Sequence, residues 1–140
     1  MNIPGNHLAA ALLLAALLAA CGDTQPPAGD QEFMFTGWSG PAVPVRLFVP
    51  DGADRDTTVV IVMHGASRDQ PRYYKDWRAA AVERGFIVAV PYFSEASFDG
   101  SARYNLGHVF DPGSGERRPP GTWTFAAIEP LFDVIVDRLG

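Results

Sequence analysis

Val59-Val60-Ile61-Val62-Met63-His64-Gly65-Ala66-Ser67-Arg68-Asp69 decides the fold, because five consecutive apolar residues, four of them β-branched, run directly into His-Gly. That run has the pattern of a strand buried on both faces, followed by a turn where the main chain must come close to something. A buried parallel strand delivers the loop at its carboxyl end to the crevice where open α/β sheets bind ligands. Gly65 has no Cβ, so the amides just after it can face a substrate atom without obstruction; the alternative is a glycine that only terminates a strand.

Working outward, Gln70-Pro71 puts a proline where the first turn of a helix tolerates it. Tyr73, Trp77 and Ala81, with Tyr74, Arg78 and Val82 beside them, recur at intervals of four and predict one apolar stripe, closed by Gly85. Phe86-Ile87-Val88-Ala89-Val90 reads as a second buried strand that Pro91 ends, so the unit is a right-handed parallel βαβ crossover. Upstream, Phe33–Trp38 and Val43–Val49 read as strands separated by the turn cluster Ser39-Gly40-Pro41. They predict an antiparallel edge hairpin, and Pro44, with no amide to give to a central ladder, supports the edge position.

From Tyr92 to Gly121 no period survives. Tyr92, Phe93, Phe98, Tyr104 and Phe110 suggest packed loop over a pocket, whereas Asp111 to Pro120 reads as a solvated excursion. Phe125, Ile128, Phe132, Ile135 and Leu139 then step by three and four and predict the core face of a last helix, with Pro130 kinking it or marking where its regular part begins.

The chain has 140 residues and a formal net charge of −5, which bounds it to one domain or part of one. Its only adjacent basic pair, Arg117-Arg118, is isolated among Gly and Pro, so nucleic acid is not an expected partner. Leu8 to Ala20 is built only from Leu and Ala, a length suited to a signal-peptide core, and Leu18-Ala19-Ala20-Cys21 resembles the lipobox of bacterial lipoproteins. That resemblance implies residues 1–20 as a signal peptide, lipidation of Cys21, and a lipid-anchored place in the cell envelope, on the periplasmic face or the outer membrane. Cys21 is the only cysteine, so neither a disulfide framework nor a thiolate metal site is expected within one chain. Residues 21–32 lack large apolar side chains up to Gln31 and predict a flexible tether. Residues 33–140 are the folded part.

Hairpin, strand, His-Gly loop, helix, strand, long aromatic loop and helix, in this order, resemble the amino-terminal part of an α/β-hydrolase. The fold class expected is therefore α/β, an incomplete α/β-hydrolase sheet with an antiparallel hairpin followed by parallel strands and crossover helices. Three blocks are similar to those of secreted esterases of the poly(3-hydroxyalkanoate) depolymerase type: His64-Gly65-Ala66-Ser67-Arg68-Asp69 with Tyr73-Tyr74-Lys75-Asp76-Trp77, then Phe98 to Gly107, then Trp123 to Asp133. In such enzymes a serine on a strand-to-helix elbow attacks an acyl carbon, with the triad in the order Ser, Asp/Glu, His. One oxyanion-hole amide follows the serine and the other comes from the loop after the third strand, which the resemblance carries onto Gly65 and Ala66, with the Ala66 N–H favoured.

No Gly-x-Ser-x-Gly occurs, since the stretches around Ser39 and Ser67 both fail at the final glycine. In the family the elbow lies one strand beyond the helix ending near Leu139. The resemblance therefore implies a nucleophile, acid and base after Gly140, and a 140-residue chain inactive by itself. The expected substrate is a carboxylic ester, small or polymeric, with no cofactor and no metal. The alternative is a lipid-anchored binding or structural module that never had a nucleophile.

Other candidates carry two readings each. His64 is a catalytic base out of family order or a structural imidazole bonded to the loop backbone. His64 and His108 with Asp69 or Asp111 lack close metal-ligand spacing and read as solvated side chains. Ser67, Arg68 and Asp69 orient the oxyanion loop or, through Asp69, cap the next helix. Tyr104 and Asn105 line an acyl pocket or pack as loop aromatics and their neighbours.

Overall fold

Alternation along Ile87-Val88-Ala89-Val90-Pro91 sets the layers, because all five residues are buried and successive side chains leave a strand on opposite faces. In a computed structural model, which describes residues 27–140, this segment is β4 (Ile87–Pro91) of a four-stranded sheet with β1 (Gly29–Phe35), β2 (Val43–Val49) and β3 (Val59–Ile61). The leader, Cys21 and the first part of the tether lie outside the described residues. Strand order is β1-β2-β4-β3; β1 with β2 and β2 with β4 are antiparallel, and β4 with β3 is parallel.

One face of the sheet carries α1 (Gln70–Arg84), where Val88 and Val90 meet Phe48, Val62 and Ala81. The other face is the larger core, where Ile87 and Ala89 join Phe35, Val45, Leu47 and Phe93 under α3 (Ile128–Leu139). The sheet is thus covered on both sides, as the crossover rule for parallel strands requires.

Both ends of α1 follow from its sequence. Asp69 caps it by accepting the Arg72 N–H at 3.2 Å, Pro71 sits in the first turn, and Gly85 closes it at φ 71 with its N–H on the Ala81 carbonyl. A short helix, α2 (Gly100–Arg103), and two 3₁₀ turns at Pro120–Thr122 and Thr124–Ala127 interrupt the long connection before α3.

Five expectations need correction. Val59–Met63 is not a strand buried on both faces: β3 is three residues long, half-buried, and paired only with β4 among the described residues. The fully buried parallel strand is β4. Next, β1 starts at Gly29 rather than Phe33 and ends at Phe35, so residues 29–32 of the expected tether are strand. They are held there by pairing with Arg46 to Val49 and by the Arg78 guanidinium bridging both oxygens of Asp30.

The hairpin is at the edge, but β1 is its outer strand and β2 the inner one. Pro44 is tolerated because it precedes the segment paired with β4, and its carbonyl accepts the Tyr92 N–H at 2.8 Å. On α3 the core face is Leu131 and Ile135, with Val134 and Leu139 against it, while Phe125 and Phe132 are exposed. Of the predicted stripe, Ile135 and Leu139 meet the core, whereas Phe125 lies in the 3₁₀ turn before the helix and Phe132 stands outside the buried Leu131–Ile135 line. Finally, Phe93, Phe98 and Tyr104 are buried in the long connection, but Phe110 is exposed, carried outward with Arg117 by a single bridge.

Candidate active-site loop

Strands β3 and β4 end side by side, so the loops that leave them meet: the Val62 N–H bonds the Ala89 carbonyl, and further out lie His64 on one loop and Phe93 on the other. His64 is 3% exposed. The Phe93 N–H donates to His64 Nε2 at 3.0 Å, so Nε2 carries no proton, and Nδ1–H is left to face the Gly65 carbonyl at 3.0 Å. Burial holds this imidazole below its ordinary pKa; the Gly65 carbonyl opposes that shift and the charge of Arg68 adds to it. Both ring nitrogens are thus engaged by backbone, the geometry of a structural imidazole.

Around it, Tyr104 donates its hydroxyl to the His64 carbonyl at 2.6 Å, and burial pushes that phenol up to about 12. Arg68, at φ 58, turns its guanidinium back under the loop. Its Nη1 donates to the Phe93 carbonyl (3.1 Å), Nη2 to the carbonyls of Phe98 (2.7 Å) and Gly100 (3.2 Å), and Nε to Glu95 Oε2 (3.1 Å). The cation also lies 4.2 Å from the centre of the Tyr104 ring. One buried arginine therefore fastens the His-Gly loop to the connection after β4. The sequence places Arg68 with Ser67 and Asp69 among residues that orient the loop, but it gives no sign of the distant carbonyls that the guanidinium reaches.

What this scaffold leaves open is the main chain at Gly65 and Ala66. Neither N–H donates to any acceptor among the described residues, nor does that of Ser67, and the turn closes beyond them: Arg68 N–H bonds the Gly65 carbonyl at 3.0 Å and Gln70 N–H the Arg68 carbonyl at 3.0 Å. A Cβ on Gly65 would sit 3.1 Å from the Tyr73 hydroxyl, so the missing side chain matters locally.

The predicted site residues divide between two clefts. His64, Tyr104 and Asn105 line one of about 160 Å³, with Met63, Phe125 and Ile128. Ser67 and Asp69 line another of about 200 Å³ on the α1 side, with Arg72, Tyr73, Asp76 and Trp77. His108 stands apart from His64 in a third cleft. Among the described residues no three His, Cys, Asp or Glu side chains stand close enough together to hold a metal ion.

Strand order, the parallel crossover and the loops at its carboxyl end define an incomplete α/β-hydrolase sheet. Two solved structures share it, both α/β-hydrolase-type depolymerases. Poly(aspartic acid) hydrolase-1 from Sphingomonas sp. KT-1 is 39% identical, with a TM-score of 0.76 over 81% of this chain and 42% of its own. The poly(3-hydroxybutyrate) depolymerase LpqC from Bordetella parapertussis is 26% identical, with a TM-score of 0.70 over 80% of this chain and 39% of its own. The chain thus spans less than half the length of either. No protein-family model and no curated protein matches it.

Proposed function

We propose that this chain is the amino-terminal portion of a serine hydrolase acting on carboxylic esters, with polymeric substrates favoured. One observation carries the reading: on a loop fixed from beneath by His64, Arg68 and Tyr104, the Gly65 and Ala66 amides remain undonated at the carboxyl end of a parallel strand. Donors held in place before reaction are what an oxyanion site needs, since they cost no reorganisation when negative charge develops on the acyl oxygen. The likeness to two depolymerases supports a polymer with acyl linkages.

In this reading the Ala66 N–H is the second oxyanion donor. The first donor, the nucleophilic serine, the acid and the catalytic histidine come from sequence after Gly140. Lipidation of Cys21 anchors the protein in the cell envelope. The cleft at His64, Tyr104 and Asn105 borders the acyl group.

The test uses the full product of the gene, including any coding sequence beyond Gly140. Turnover of a p-nitrophenyl ester, blocked by a serine-directed phosphonate, is expected, and Ala66→Pro, which deletes the N–H, should lower kcat by about 10²–10³ while the melting transition persists. A product that binds no phosphonate and turns over no ester is instead a binding or structural module.

A further inference from the structure

At the same end of the sheet as the His-Gly loop lies a cleft of about 330 Å³ between the β1–β2 turn and the long connection after β4. Register explains its position: Val45 pairs with Pro91, so the turn that precedes β2 lies at the carboxyl end of β4. One wall is aromatic, with Trp38 stacked on Phe98 at 6.1 Å and 12°. The turn holds that indole deliberately, since a Cβ on Gly40 would fall 2.4 Å from the ring, and Trp38 Nε1–H is fixed on the Pro41 carbonyl at 2.9 Å.

The remaining wall is cationic. Arg103, His108 and Arg118 line the cleft and no carboxylate does. Arg103 is shared with Asp99 at 3.1 Å, an ion pair largely exposed to solvent. Arg118 makes no ion pair with any described residue, and its Nε is buried without a hydrogen-bond partner. A buried guanidinium donor without an acceptor is costly, and such a group calls for an explanation.

Nearby groups do not supply one. Asp111 is close enough to feel Arg118, but its Oδ1 accepts the Gly113 and Ser114 N–H groups and neither oxygen is within ion-pair distance of the guanidinium. The Thr124 and Ser39 hydroxyls donate to the carbonyls of Arg103 and Gly121. His108 feels the charges of both arginines, opposed by Asp111 and Asp99. Two arginines therefore line the cleft beside an aromatic face, one of them without an ion pair among the described residues, and no carboxylate lines the cleft itself.

We propose that this cleft is a carboxylate-binding subsite for an anionic acyl substrate, in which Arg118, with Arg103 beside it, holds a carboxylate against the Trp38–Phe98 wall. A guanidinium matches a carboxylate in a planar, two-bond geometry. An uncharged polyester would leave the cations unmatched, so the cleft discriminates between chains with and without free acid groups. The proposal rests on the hydrolase reading only in calling the bound anion a substrate.

Tetra-aspartate titrated into the full gene product, followed by calorimetry and tryptophan fluorescence, tests it. Saturable binding is expected, weakened about tenfold or more by Arg118→Gln. Arg117→Gln, which removes the same charge from outside the cleft, should stay within about twofold. Arg118→Lys, keeping the charge without the planar fork, should fall between them and serves if the glutamine variant fails to melt cooperatively. Binding that falls equally in both glutamine variants, or inorganic phosphate bound at these residues as tightly as tetra-aspartate, overturns the assignment. Ester turnover without tetra-aspartate binding sinks the subsite alone; tetra-aspartate binding without turnover sinks the hydrolase reading and leaves the carboxylate site standing.

Discussion

Around His64 and Arg68 polar side chains are buried and paired, whereas along α3 and the 3₁₀ turn before it apolar side chains stand in solvent, with Phe125, Phe132 and Val136 each more than 40% exposed. The first region is closed by contacts between residues 62–69 and 93–104. The second packs Leu131 and Ile135 on the core and leaves its outer side uncovered. Rigidity in this molecule therefore comes from directional bonds at the loop, and the surface of α3 has the character of a face that another layer covers.

That contrast breaks most readily at Arg68. Arg68→Met strips the donors from two buried carbonyls and a part-buried one, and the contact with Tyr104, and should cost about 3–5 kcal/mol in urea denaturation. Loss below about 1 kcal/mol would show that the loop is held by packing instead.

Gly107 tests the boundary between the regions. It sits at φ 69, and a Cβ there would lie 2.4 Å from the Phe125 ring. Gly107→Ala should cost about 2–4 kcal/mol, part from backbone strain and part from the clash. Adding Phe125→Ala should recover the clash and leave the backbone cost, which a double-mutant cycle on denaturation midpoints separates.

The imidazole gives a pH signature. Its folded pKa lies below the unfolded value, so its contribution to stability is complete above about pH 6.5 and is lost as pH falls toward the lowered folded value. His108, lowered by burial and then by Arg118 and Arg103, acts in the same sense. His64→Gln, whose amide oxygen still accepts from Phe93, should flatten part of the stability slope between about pH 5 and 7. An unchanged slope would mean the buried ring does not titrate there. Smallest is Phe132→Ser, expected within about 0.5 kcal/mol in stability, with reduced self-association by light scattering.

Much of the scaffold was legible because its signals are local. Asp69 and Gly85 announce the ends of α1, and the apolar runs at 43–49 and 86–90 give strands at nearly their observed bounds. What failed depended on neighbours: periodicity cannot tell which apolar run takes the centre of a sheet, so β3 and β4 read alike although only β4 has partners on both sides. Phe125 turns outward because it lies in the 3₁₀ turn before α3, out of phase with the helix, and Phe132 because spacing does not choose between the neighbouring Leu131–Ile135 and Phe132–Val136 lines. At the site, Gly65, Tyr104 and His64 were visible as residue types in a recognisable block. Arg68 was visible only as one of three residues that could orient the loop, because its anchoring bonds run to carbonyls 25 to 32 positions away.

The antiparallel start of the sheet has a consequence for orientation. Gly29 pairs with Val49 at the pole opposite the His-Gly loop, and Asp30 is tied there to Tyr74 and Arg78 of α1. Only seven residues lie between Cys21 and Gly29, and the eight steps from one to the other reach at most about 28 Å. A lipid on Cys21, as proposed, would seat the molecule on that pole and point the cationic cleft and the undonated amides outward, toward chains too large to reach the bilayer surface.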